Sequence, residues 1–316
     1  MAFVIGVGMV NLAVALGLSP LFEGAVRKFV RARVHSRQGP PIWQPYYDLF
    51  KLLGKEDLQV SGHWLLRLAP KLCVAAIVVA ALLVPLGLVR APLGGSGDLI
   101  ALVYFVGLAA VAVILGAAAS ESAYASVGFG REVMLLLTVE PVLVISLLTA
   151  AAKAHSLRLS DMAAWQMVHG PSISMTIAAL ALLLSLQAQA GKLPFDIPEA
   201  DQEIMGGPFV EQSGPKLALY RWSFWAKQVV FAALLCSIFI PWPRLDLLGP
   251  GAASAAAAVQ GAANLVITLI KISLVVVFIG LIDVVSPRLR IDQALAYFVG
   301  IIFMAVIGLT FALLGA

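Results

Sequence analysis

The chain has 316 residues, of which 61% are hydrophobic and only 12% charged. Soluble domains carry roughly 25% charged residues, so a single water-solvated core is excluded and the bilayer must act as solvent. The formal charge of +4 gives no reason to expect nucleic acid, because the cationic residues sort by membrane topology.

Eight apolar runs are long enough to cross roughly 30 Å of hydrocarbon. They are 2–22, 65–89, 99–119, 133–152, 173–190, 224–240, 262–281 and 294–314, the fifth and sixth being the shortest. Backbone polar groups in lipid must be paired within their own segment, so each run is predicted to be a helix. The expected fold class is all-α: one polytopic membrane domain over residues 1–316, with eight transmembrane helices. The first run has no charged stretch before it and a basic cluster after it. It is read as a retained helix rather than a cleaved leader.

All but five of the 21 Lys and Arg residues fall on the side of the first long loop. Arg90, Lys153, Arg158 and Arg244 lie opposite, and Lys271 lies within a span. The positive-inside rule makes the Lys- and Arg-rich side cytoplasmic and places both termini outside. Two long cytoplasmic loops follow, 25–64 and 191–223, expected to dock partners and shape a cavity. The Ala- and Gly-rich stretch 249–263 is expected to be a flexible lead into the seventh helix. There is no internal repeat.

The first loop contains RQGPPIWQPYYDLFKLLGKEDL. Gly39-Pro40-Pro41 forbids helix, and Pro45 suits the first turn of a new one. The apolar residues that follow, with Asp48, Lys51 and Lys55 among them, predict an amphipathic helix. It either lies at the membrane interface or serves as a docking platform.

Three acids cluster around the start of the fourth span. Glu121 and Glu132 flank the membrane edge, and Glu140 sits inside the span just before Pro141. A carboxylate at that depth is costly unless it faces protein or water. It is read as a proton-relay site, with a helix-gluing salt bridge as the alternative. Pro141 is expected to bend the helix.

The second long loop reads GKLPFDIPEADQEIMGGPFVEQSGP. Asp196, Glu199 and Glu203 would share one face if the segment were helical. Asp201 and Glu211 add two more acids. Clustered like charges raise pKa values and suit proton exchange. Acids exposed near a helix N-terminus would explain them equally well. Lys271, in the seventh span, is either a proton-trading group or half of an ion pair, with Glu140 the first candidate partner.

Cys73 and Cys236 lie in apolar runs and read as small buried hydrophobes. Two thiols cannot hold an iron–sulfur cluster, so partner subunits must carry any electrons. His35, His63, His155 and His169 have no metal-ligand spacing.

ARVHSRQGPP, QPYYDLFKLLGKEDL, GKLPFDIPEADQEI and EQSG together resemble the quinone-chamber membrane subunit of respiratory complex I. They are still more similar to its relatives in formate hydrogenlyase and group 4 energy-converting nickel–iron hydrogenases. The resemblance covers nearly the whole chain. It implies a non-catalytic membrane-anchor and coupling subunit in a bacterial or archaeal inner membrane. It implies no cofactor on this chain, with nickel–iron and iron–sulfur centres on partner subunits. The implied partners are hydrogenase large and small subunits, iron–sulfur subunits and antiporter-like membrane subunits. It places Arg37, Asp196, Glu199, Asp201, Glu203 and Glu211 around a cavity. It places Glu121, Glu132 and Glu140 on the way from that cavity into the membrane. A quinone-binding complex I subunit is the alternative, and a lone transporter a third class. The missing insertion after the Arg-x-Gly-Pro turn and the altered segment after EQSG count against a quinone site.

Overall fold

The computed structural model describes residues 2–58, 62–85, 91, 93, 98–244 and 254–315. Helices dominate, and no strand occurs among the described residues. The first long helix, α1, is helical from Ala2 and is long and apolar enough to cross a membrane over Gly6–Val34. Then follow α2 (Gln44–Leu53), α3 (Trp64–Leu83), α4 (Leu99–Ala118), α5 (Ala123–Ala154) and α6 (Leu159–His169). After them come α7 (Ile173–Gln189), the short α8 (Asp201–Ile204), α9 (Gly214–Ile238), α10 (Ser254–Val285) and α11 (Ile291–Leu313).

Six helices are long and apolar enough to cross a membrane: α1, α3, α4, α5, α10 and α11. The other two predicted spans also form helices, but they fall short for physical reasons. Helix α7 has only 17 residues, and the first fifteen residues of α9 carry Lys216, Arg221, Lys227 and Gln228.

Several boundaries differ from the sequence expectation: α5 begins at Ala123 rather than 133, and α6 is absent from the predicted elements. Residues 25–34, predicted as loop, continue α1, because no proline interrupts them and Glu23 pairs with Arg27 one turn on. Residues 214–223, also predicted as loop, open α9. The predicted flexible lead 249–263 is helical from Ser254, as a run of alanines favours, while 249–253 lie outside the described residues. Residues 86–89 of the second predicted span, with Arg90, likewise lie outside them. Helix α5 runs on through Pro141.

Helix α9 is the hub. It packs against α1, α2, α3, α6, α7 and α10, and most of its length is buried. Protein rather than lipid therefore surrounds Lys216, Lys227 and Gln228, while Arg221 stays exposed. On the far side, α11 packs along α5 and α7.

Two π-turns, Ala13–Gly17 and Val26–Arg31, interrupt α1. A π-turn widens the hydrogen-bond ladder and leaves carbonyls in need of donors. Trp222 Nε1 of α9 donates to Leu16 O at 2.8 Å, and Tyr46 Oη of α2 donates to Gly17 O. Buried Asn11 donates to Ala81 O and Val84 O, capping the end of α3.

Helix α2 buries Pro45 and Leu49, and Leu49 and Leu52 meet Ala218, Trp222 and Trp225 of α9. Tyr47, Phe50 and Lys51 stay exposed.

The loop between α7 and α9 rests on α5 at Gly128. A Cβ there would meet Pro208 Cδ at 2.6 Å and Gly207 Cα at 2.9 Å. Gly128→Val is expected to destabilise the protein by about 1–3 kcal/mol through overpacking. Gly130, with nothing within 4 Å of its Cβ position, is the control. Gly130→Ala should be stabilising by up to about 1 kcal/mol. Thermal unfolding in detergent checks both.

Candidate functional site: a charged cavity under the acidic loop

Residues 190–200 are turns, not helix, which corrects the expectation that Asp196, Glu199 and Glu203 share a helical face. Pro194 and Pro198 lack the N–H that a helical ladder needs. Only Asp201–Ile204 makes a helical turn.

Four contacts pin this loop. Lys192 Nζ lies 2.9 Å from Glu23 Oε2 of α1, and Arg27 holds the other Glu23 oxygen at 3.0 Å. Asp283 of α10 accepts from Leu193 N at 3.1 Å and from Arg31 at 2.7 Å. Arg288 reaches Asp196 Oδ2 at 2.8 Å. Leu289 N donates to Pro194 O at 3.1 Å.

Beneath the loop lies a cavity of about 560 Å³. Its walls bring together Asp196, Glu199 and Asp201, with Glu23, Lys192 and Arg221. Phe209, Tyr220, Phe224 and Trp225 supply aromatic wall. Arg37 lies in a neighbouring cavity of about 570 Å³, where Arg27, Arg31 and Asp283 are shared with the first. Glu203 is exposed and turned away, bonded to Arg131 at 2.7 Å. The Arg131 guanidinium holds its carboxyl below the usual range. Glu211 lines neither cavity; its Oε2 and both amide atoms of Gln212 are buried without hydrogen-bond partners. Glu121 is exposed at the start of α5.

Two smaller cavities lead inward. One of about 40 Å³ joins Asp196 and Glu199 to Glu132 and Lys227. The next, of about 10 Å³, is lined by Cys73, Glu132, Ser223 and Lys227. A cavity holding one water needs about 10–15 Å³ and several polar partners, so these are of water size. The Lys227 charge acts on both Glu132 and Glu140. Glu140 tucks its carboxylate over Gly107, where a Cβ would stand 2.6 Å from Oε1.

Sequence offers Glu140 as the first candidate partner of Lys271; the structure gives Lys271 other partners. Lys271 instead donates to Ile240 O at 3.1 Å and Pro241 O at 2.8 Å, just past the end of α9. Lys227, Glu23, Lys192 and Asp283 escaped the sequence reading. Glu23 and Asp283 carried a usable signal, a carboxylate inside or at the edge of an apolar run.

Electrostatics divides the acids. Burial, aided by Asp196 and Glu132, pushes the Glu199 carboxyl up to about 8. Burial also raises Asp196, against the opposing pull of Arg288. Glu199 is thus the loop acid whose proton is exchangeable near neutral pH.

A bundle of apolar helices, with a charged cavity at one end and smaller cavities leading from it to Glu132 and Lys227, defines a multi-pass membrane subunit. The NADH dehydrogenase family model matches residues 5–314, and the chain belongs to that family. Hydrogenase-4 component C of Escherichia coli (strain K12) is 36% identical, over 88% of this chain and 86% of that protein. Formate hydrogenlyase subunit 4 of the same organism is 33% identical, over 90% and 91%. NADH-quinone oxidoreductase subunit 8 of Thermus thermophilus is 31% identical, over 74% and 69%. Among solved structures, a chain of a membrane-bound sulfane sulfur reductase, an archaeal respiratory membrane complex, superposes with TM-score 0.84. That match has 27% identity and covers 98% of this chain and 99% of the other.

Two expectations follow. Glu199 binds its proton in the folded state up to pH about 8 but only to about 4.5 when unfolded. Between those values the folded form holds the extra proton, so stability falls as pH rises, by up to about tenfold in the unfolding equilibrium per pH unit. Glu199→Gln should flatten that slope in unfolding measured from pH 5 to pH 8. Separately, Glu23→Gln strands two cations around a buried site. It should cost about 3–5 kcal/mol and speed proteolysis of the acidic loop.

Proposed function

We propose that this chain is the membrane-anchor and coupling subunit of an energy-converting, hydrogen-evolving hydrogenase complex. One observation carries the coupling role: water-sized cavities join Glu199, Glu132 and Lys227, and Glu140 lies about two helical turns beyond Glu132 on α5. The similarity to hydrogenase-4 component C and formate hydrogenlyase subunit 4 supports the choice of complex.

In this reading all eight long helices span the membrane. Both termini lie outside, and the acidic loop faces the cytoplasm. Helix α2 lies at the interface with Tyr47 and Phe50 outward. The hydrogenase large and small subunits dock over residues 25–64 and 191–223, carrying the nickel–iron and iron–sulfur centres. Antiporter-like subunits pack alongside in the bilayer. Electron arrival at a docked partner changes the charge above the cavity and so the proton affinity of Glu199. Glu199 passes its proton through water to Glu132. The Lys227 ammonium, resupplied from Glu132, protonates Glu140 deeper in the membrane. Asp196, Asp201 and Arg37 set the potential of the cavity. Glu203 and Glu211 hold the loop and its partner contacts, and Glu121 marks the rim. Lys271 stands apart from this file.

A second reading is favoured by the aromatic wall of the 560 Å³ cavity and the similarity to an NADH-quinone oxidoreductase component. There the cavity is a quinone chamber in a complex I-type enzyme.

Purification through a tag on this chain decides between them. Co-purifying hydrogenase subunits and hydrogen evolution from reduced viologen are expected. NADH-linked quinone reduction without hydrogen evolution would overturn the first reading in favour of the second. In Lys227→Met and Glu132→Gln, assembly and viologen-linked hydrogen evolution should persist. Proton uptake coupled to turnover in proteoliposomes should drop at least about tenfold, the scale of losing one proton-transfer group. Unchanged uptake would sink the relay.

A further inference from the structure

At the opposite end of the bundle from the acidic loop, α6, the end of α9 and α10 enclose a cavity of about 290 Å³. Lys271 and Arg244 line it, with Thr268 and Ser160, and the described lining residues include no Asp or Glu. The remaining wall is mainly apolar, including Ala163 and Met167. Arg244 is steadied on Met167 Sδ at 3.1 Å.

The Lys271 ammonium is fixed rather than roaming. It donates to Ile240 O and Pro241 O at 3.1 and 2.8 Å, the carbonyls that follow α9. These carbonyls are neutral dipoles and carry no formal charge, and no carboxylate stands among the described lining residues to balance the ammonium. An ammonium also has three donors, and two are used. In a bilayer-spanning chain, an anion that brings both charge and apolar bulk meets this cavity's chemistry.

We propose that this cavity binds the phosphate group of an anion, with Lys271 as its principal contact and Arg244 at its edge. The membrane supplies such a group as an anionic phospholipid headgroup, and the aqueous phase as free phosphate. The apolar wall favours the lipid, whose glycerol and first acyl carbons would lie against Ala163.

The test uses the full chain within its purified complex, delipidated in mild detergent and followed by native mass spectrometry. Titration with dioleoylphosphatidylglycerol is expected to add one saturable lipid to this chain. Lys271→Met should weaken it roughly tenfold, and Lys271→Arg should restore most of the binding. Dioleoylphosphatidylcholine should show no dependence on residue 271. Ala163→Phe leaves the helix cap intact and fills the cavity, so it should weaken the anionic lipid similarly. It keeps the proposal testable if Lys271→Met fails to fold. Sodium phosphate separates the sources. Phosphate binding that depends on Lys271, without lipid binding, makes the ligand soluble; lipid binding that phosphate does not displace makes it a headgroup. Binding of both ligands unchanged by Lys271→Met and Ala163→Phe, or absent altogether, would overturn the proposal.

Discussion

The buried carboxylate of Glu23 organises the working end of the molecule. It sits in the wall of an apolar bundle, where a lone charge would be strongly disfavoured, and is neutralised by Arg27 on its own helix and Lys192 on the loop. Because Lys192 is committed to α1, the following residues cannot swing away. Asp283 and Arg288 then fix the next turns from α10 and the residues after it. The acidic loop is therefore clamped by three separate parts of the chain. Only with its backbone so held can Glu199 sit under the cavity roof instead of turning to water, as Glu203 does.

The second constraint is the placement of α9. A helix with Lys216, Arg221, Lys227 and Gln228 in its first fifteen residues would be a poor span if lipid surrounded it. Its neighbours on almost every side make protein its solvent, and small cavities give Lys227 polar company. The same arrangement puts Lys227 beside acids from α5, so fold and file of charges have one cause.

Much of the architecture was legible because the bilayer imposes a simple code. Every predicted apolar run became a helix, since unpaired backbone is intolerable in hydrocarbon. Helix ends were harder, because charged turns such as 25–34 read as loop when no lipid boundary is visible in a sequence. The cavity acids Asp196, Glu199 and Asp201 were found, but a shared helix face was the wrong reason. Two prolines fold the segment into turns, and the acids meet by tertiary packing. Glu132 and Lys227 line the same small cavities from positions more than ninety residues apart, a long-range placement that no spacing rule encodes. Lys227 was hidden for the opposite reason: it looked like one more topogenic cation.

The two hydrogen bonds that fill the π-turn of α1 impose an order on biogenesis. The Leu16 and Gly17 carbonyls sit in α1, yet their donors, Trp222 and Tyr46, come later in the chain. Until α9 is inserted, the nascent first helix carries an acceptor without its final donor in or near hydrocarbon. A regular α-helical register, or water at the insertion machinery, must satisfy it meanwhile. Helix α1 thus gains the full set of donors for its π-turn only when α9 arrives.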